Sequence, residues 1–423
     1  MRFFEFAITP QTSSSIKDLE YLLTNADVDP NTLQKALDFL KKDSQEKQDS
    51  LKQPETPPPQ NPNVQSTPQV QPQELPGEKN VKEAGTDSLK NEVIQFAKEA
   101  SPDKLEKVIY YIKLDSFKDM ASSIIKSKIK VKANAITEQI HLAISDLAGK
   151  TSVKSMTDFL NDCKEGGVID APLMIKGKQG IVQSIPITRE DYLPIVKRLL
   201  DTNLGGASAS GKGEFGLAFA GIDATKGEKD ITIGGIDIEV KATHRKTDFF
   251  FKGQTGFEPV HTKNALIKLV NALNSVGGTF QQTNQVSKGG IAQINPKTLE
   301  VLNPFFMKLG QKNVITLLTN MISEIHSDHD VSEFNKDIAS SVNSDGSIDY
   351  NKLIYATSKI SFYYYQQIEK HPGVLMLNIT NGSYVYQETP GDFAKLVSKG
   401  IIGTTSAIDF RTSTKGSLTF KIN

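Results

Sequence analysis

Four side chains in one short stretch have the types and spacing for hydrolytic chemistry: Glu214, Asp230, Glu239 and Lys241. They lie in GKGEFGLAFAGIDATKGEKDITIGGIDIEVKATHRK, residues 211–246. Asp230-Ile231-Thr232-Ile233 and Ile236–Thr243 are β-rich runs joined by Gly234-Gly235, a pairing that predicts a tight hairpin. Side chains alternate across a strand, so Ile236, Ile238, Val240 and Ala242 are expected to face the core. Asp237, Glu239, Lys241 and Thr243 then share the other face, with Glu239 and Lys241 side by side. Asp230 opens the neighbouring antiparallel strand and is expected near Glu239. Upstream, Glu214, Leu217, Ala218 and Ala220 suit a short helix, and Gly221–Gly227 reads as a glycine-rich connection.

Such a set suits hydrolysis of a phosphodiester. Carboxylate oxygens of Asp230 and Glu239 can hold Mg²⁺, with Mn²⁺ as the ion able to replace it, and Glu214 can add a third carboxylate. The cation stabilises developing charge and acidifies an attacking water. Lys241 can orient that water or neutralise the transition state. The plainer alternative is a solvated strand face with an ordinary cross-strand ion pair. Around this set, Lys212, His244, Arg245, Lys246 and Lys252 are candidate contacts to the phosphates of DNA, or simply loop charges in water. Phe249, Phe250 and Phe251 read as a buried strand more readily than as a stacking platform.

Asp230 followed by Glu239-Val240-Lys241, with Glu214 upstream, resembles the PD-(D/E)XK nuclease superfamily, which includes many restriction endonucleases. The phrases GKGEFGLAFAG and KGEKDITIGGIDIEVKAT also resemble nuclease-like proteins encoded by tailed bacteriophages. The resemblance implies an α/β (α+β) fold with a restriction-endonuclease-like αβββαβ core, Mg²⁺ dependence and DNA cleavage. It implies that Asp230 and Glu239 are metal ligands, Lys241 the catalytic lysine and Glu214 the helix carboxylate. It extends to a homodimer, since two strands need two sites, and to a place in the host cytoplasm or the virion. Lys229 stands where the family name has proline. The competing expectation is a phage virion structural or assembly protein that keeps the fold without the activity.

The elements that must position these residues occupy the C-terminal part of a chain of 423 residues, long enough for two or three domains. Residues 53–76 hold eight prolines and six glutamines, too little apolar surface to offset ordering entropy. A disordered Pro/Gln-rich linker is therefore expected over residues 43–87. Before it, residues 1–42 read as two short amphipathic helices, Ser15–Leu23 and Pro30–Lys42. They are too small for a core of their own, so docking on a phage structural or host protein through Phe3, Phe4 and Phe6 is weighed against a plain helical hairpin. Residues 88–171 read as helical, ending in an alternation of Lys126, Lys128, Lys130 and Lys132 that suits a solvated face or phosphate contact. Residues 172–423 become α/β, with a helical insertion about 262–345. The long helix Tyr350–Lys370, stopped by His371-Pro372-Gly373, and the apolar strand after it supply the last helix and strand of the core.

Other features exclude more than they suggest. Lys+Arg and Asp+Glu number 49 each, which rules out a uniformly basic nucleic-acid coat but not a local basic groove. The single cysteine, Cys163, excludes a disulfide framework and reads as an inert thiol. No apolar run reaches the length of a membrane span, so no membrane association is expected. Gly206–Gly213 approaches a phosphate-binding loop but ends in Gly213 instead of Ser or Thr, and the segment before it reads as helix. His326 and His329 lie at metal-ligand spacing, without further ligands nearby, and read as a polar helix end.

Overall fold

The computed structural model describes residues 10–26, 28–50, 85–130, 134–176, 180–202, 213–227, 231–243, 249–250, 259–367, 370–411 and 418–422. Phe3, Phe4, Phe6 and the proline-rich segment lie outside them. The fold is mixed α+β. Contacts divide the chain into two compact units, one of Met1–Ser122 with Ile144–Asn161, the other of Ser123–Ala143 with Asp162–Asn423.

The helices are α1 (Pro10–Asn25), α2 (Pro30–Ser50), α3 (Thr86–Glu99), α4 (Pro102–Lys128), α5 (Asn134–Lys150), α6 (Val153–Glu165), α7 (Ala171–Met174), α8 (Leu193–Leu200) and α9 (Glu214–Ala220). Then come α10 (Pro259–Ser275), α11 (Pro296–Leu309), α12 (Gln311–Ile325), α13 (Asn335–Ser340), α14 (Tyr350–Gln367) and α15 (Pro390–Ser398). The strands are β1 (Ala224–Lys226), β2 (Ile231–Ile233), β3 (Ile236–Thr243), β4 (Phe249–Phe250), β5 (Gln293–Ile294), β6 (Val374–Asn378), β7 (Tyr384–Gln387), β8 (Ile402–Thr404), β9 (Ile408–Asp409) and β10 (Thr419–Ile422).

In the first unit the expected stripes are present and used internally. Leu19, Leu22 and Leu23 of α1 are buried, as are Leu33, Leu37 and Leu40 of α2 and Leu89, Val93 and Ala97 of α3. Burying a Leu-sized side chain stabilises by about 1.5–3 kcal/mol, so these stripes bind the helices to one another. Polar ties add to them: Tyr21 donates to Asp158, Thr32 to Asp115, and Lys41 pairs with Glu92 at 3.1 Å. The first two helices are therefore part of a larger helical core, with Phe39 of α2 left exposed.

The second unit is built on a five-stranded sheet of order β1-β2-β3-β6-β7. β1, β2 and β3 form an antiparallel meander, β3 and β6 pair in parallel, and β7 returns antiparallel. Gly234 and Gly235 turn the β2–β3 hairpin at φ 57° and 80°, the left-handed backbone that its two-residue turn needs. Helix α9 precedes the meander, and α14 makes the crossover into β6, with α10–α13 inserted ahead of it. The order is helix, three strands, helix, strand. Both faces of the sheet are covered. On one, α14 contributes Tyr364 and Tyr365 to a core with Val374, Met376 and Val385. On the other lie α8 and α9, so close that a Cβ on Gly216 of α9 would stand 2.6 Å from the Leu200 backbone nitrogen. β4, β10 and β8 form a second sheet, and β5 pairs with β9.

Of the lysine run, Lys132 lies outside the described residues. Helix α4 ends at Lys128, and Ile129 bridges Lys226. The Lys128 ammonium donates to the carbonyls of Gly166 (3.0 Å), Gly221 (2.9 Å) and Phe219 (3.4 Å). It serves the end of α9, and burial pushes its pKa down. Cys163 is fully buried, and burial raises its thiol far above the usual range, which keeps it unreactive. Among the described residues no helix is long and apolar enough to cross a membrane.

Candidate functional site

β3 is the central strand, and its pairings fix where Glu239 and Lys241 point. Glu239 lies beside Val374 and Lys241 beside Met376 of β6. The Glu239 amide also donates to the Gly373 carbonyl at 3.2 Å. The two side chains share the face covered by α14, as alternation requires. There the Lys241 ammonium pairs with Oε1 of Glu239 and lies 5.4 Å from the centre of the Tyr365 ring. Their side chains are only 7% and 19% exposed, so the carboxylate is largely withdrawn from water. His371 completes the group. Its Nε2 stands 3.6 Å from Oε2 of Glu239, and its side chain is 4% exposed. Its backbone N–H donates to the Tyr365 carbonyl at 2.9 Å, which fixes it between α14 and β6. Glu239 is thus gripped on one oxygen by its own strand and approached on the other from the α14–β6 turn. In the same row of the sheet, two strands away, sits the buried Gln387. Its Nε2 has no hydrogen-bond partner among the described residues.

Glu214 does not join this group. Lys226 pairs with Ile231, and Ile231 with Ile238, which puts Lys226 on the Ile238–Val240–Ala242 face. Glu214 accepts from the Lys226 ammonium at 2.8 Å on that side, with both side chains at most 4% exposed. The start of α9 packs there too: a Cβ on Gly213 would meet Ala242 at 2.9 Å. The sheet therefore separates Glu214 from Glu239 and Lys241, a correction to the expected three-carboxylate cluster. The physical reason is the buried lysine of β1. It needs a counter-charge on its own face, and the first residue of α9 supplies it.

Comparison of the chain with family models, curated proteins and solved structures gave no match. Asp230, Lys212, His244, Arg245, Lys246 and Lys252 lie outside the described residues. Among the described residues no cluster of three or more His, Cys, Asp or Glu is placed to hold a metal. Glu239 and His371 give a divalent cation two buried donors, and Asp230 remains the expected third. Lys241 adds a fixed positive charge beside them. Opposite charges attract more strongly away from water, so this ammonium is well placed to stabilise an anionic phosphate.

His371 and Tyr365 are members of the group that the sequence reading did not name. The signal for His371 was there, as the residue that stops a helix just before the strand paired with β3. The histidine pair at residues 326 and 329 is different. Their rings meet edge to face at 5.3 Å, and Nδ1 of His329 bonds Asp328 at 2.7 Å. Burial, with His329 beside it, pushes the His326 imidazole down to about 3. His326 is the C-cap of α12, so the pair does sit at a helix end, where His329 packs against Tyr363 and Tyr364 of α14.

Proposed function

We propose that the second unit is a metal-dependent phosphodiesterase of the PD-(D/E)XK type that cuts DNA. The observation that carries this reading is Glu239 and Lys241, two residues apart, side by side on the central strand β3. The helix–three strands–helix–strand order of the sheet supports it. In the reaction, water's oxygen bonds to phosphorus, one P–O ester bond breaks, and the leaving oxygen takes up a proton. Lys241 neutralises the charge that builds on the non-bridging oxygens. Glu239 and Asp230 would hold a divalent cation, and Mg²⁺ or Mn²⁺ there would supply Lewis acidity. Lys212, His244, Arg245, Lys246 and Lys252 bind flanking phosphates in this reading.

The test is nicking of supercoiled plasmid by the full chain with Mg²⁺ or Mn²⁺. Lys241→Met should lower the rate by roughly 10²–10³-fold, the scale for loss of one electrostatic stabiliser. Glu239→Gln should abolish both cleavage and cation binding.

The withdrawal of Glu214 to the opposite face favours a second reading. In it the protein is a virion structural or assembly component that keeps this sheet without catalysis. A wild type inert on duplex, nicked and single-stranded DNA, with no heat of Mg²⁺ or Mn²⁺ binding, would support that reading and end the first.

A further inference from the structure

His371 is a buried titratable side chain that meets the Glu239 carboxylate from outside β3. Its place is fixed twice. The chain before it is tied by its own N–H to Tyr365, and the chain after it by the Gly373 carbonyl that accepts from Glu239. The backbone at Gly373 lies close against Tyr386 of β7, since a Cβ there would fall 2.2 Å from the Tyr386 hydroxyl. The imidazole is therefore held against one particular oxygen of Glu239, the one that Lys241 does not take.

We propose that His371 is a direct ligand of the divalent cation, sharing it with Glu239, and that the site consequently prefers Mn²⁺ to Mg²⁺. This rests on the reading of Glu239 as a metal ligand given above. Two donors on one small cation, with bonds of about 2.1 Å, stand roughly 3.0–3.6 Å apart as the angle between them opens from square to trigonal. Nε2 of His371 and Oε2 of Glu239 are 3.6 Å apart, at the open end of that range. A cation can thus enter between them with small side-chain adjustments. An imidazole nitrogen changes which ion is favoured. Mg²⁺ selects oxygen and gives up its waters reluctantly, whereas Mn²⁺ binds more tightly to sites containing nitrogen. The alternative role for His371, a hydrogen-bonded prop for the Glu239 carboxylate, would leave no nitrogen on the metal.

Pulsed electron paramagnetic resonance of the Mn²⁺-loaded full chain separates the two roles. The wild type should show nitrogen coupling to the manganese, and His371→Gln should lose it. By calorimetry the same variant should bind Mn²⁺ more weakly, with a smaller loss for Mg²⁺. The wild-type spectrum needs no variant to fold, and its lack of nitrogen coupling would by itself overturn the proposal. Coupling that survives in a folded His371→Gln would do the same. Cation binding lost in Glu239→Gln but unchanged in His371→Gln would end this inference and leave the functional reading standing. A wild type that binds neither ion would end both.

Discussion

The ion pair between Glu214 and Lys226 makes a sharp test of how the sheet divides the molecule. Both side chains are at most 4% exposed, and they meet at 2.8 Å. Removing one partner leaves the other as a buried charge without its counter-ion, which typically costs about 3–5 kcal/mol. For a unit of this size, at about 2 °C per kcal/mol, Glu214→Met should lower Tm by roughly 6–10 °C. Replacing both partners, Glu214→Met with Lys226→Met, removes the orphaned charge and should recover most of the loss, because two apolar side chains fill a dry space well. Differential scanning calorimetry of the two single variants and the double variant measures this directly. Cation binding should be unchanged in every folded variant, since the pair lies across the sheet from Glu239. The reasoning fails if the double variant melts as low as the worse single variant. It also fails if Glu214→Met keeps its Tm but loses Mn²⁺ binding that the wild type shows, which would return Glu214 to the proposed cation site.

Three further outcomes follow from packing and burial. Gly216→Ala should destabilise by about 1–3 kcal/mol, because its Cβ would meet the backbone of Leu199 and Leu200, which cannot swing aside; urea titration reads the loss. Lys128→Met should cost about 1–3 kcal/mol by leaving carbonyls of Gly166 and Gly221 without their donor, a loss that urea titration also reads. His326 titrates at about 3 in the fold and 6.5 in model compounds, so only the unfolded chain takes up its proton between those values. Its contribution is therefore complete above about pH 6.5 and is lost as pH falls toward 3, by at most about 1.4 kcal/mol per pH unit. A His326→Gln variant should show a flatter decline of stability with acid than the wild type, and an equal decline would contradict the burial argument.

How much of this was legible in the sequence varies from element to element. The bounds of β2, β3 and the Gly234-Gly235 turn follow from local alternation and from glycine's access to positive φ. The environment of β3 does not. The face bearing Glu239 was expected to be polar and open, yet Glu239 is 5% exposed while Ile236, on the supposed core face, is 42% exposed. Burial there depends on β6 and α14, which are distant in the chain, and on Ile236 lying at the hairpin end beyond both covers. β1 was read as loop because Ala224-Thr225-Lys226 is too short to show a period; only its pairing with β2 makes it a strand. Without β1 the Lys226 ammonium could not be placed, and so the pull on Glu214 stayed hidden. The stripes of α1 and α2 were readable, but a stripe does not name what it packs against. Helix α15 was missed despite a local mark: Thr389 caps it by accepting from the Asp392 amide, with Pro390 in its first turn.

The parallel pairing of residue 239 with residue 374 has a consequence for synthesis. Contacts between such distant points in a chain form late, because a large loop must close first. A nascent polypeptide that has not yet emerged past Val374 holds the acid and the amine of β3 but has neither the strand beside them nor the imidazole that precedes it. The group is therefore assembled only after Val374 has emerged, and a ribosome that stalls in the helical insert releases a fragment unable to form it.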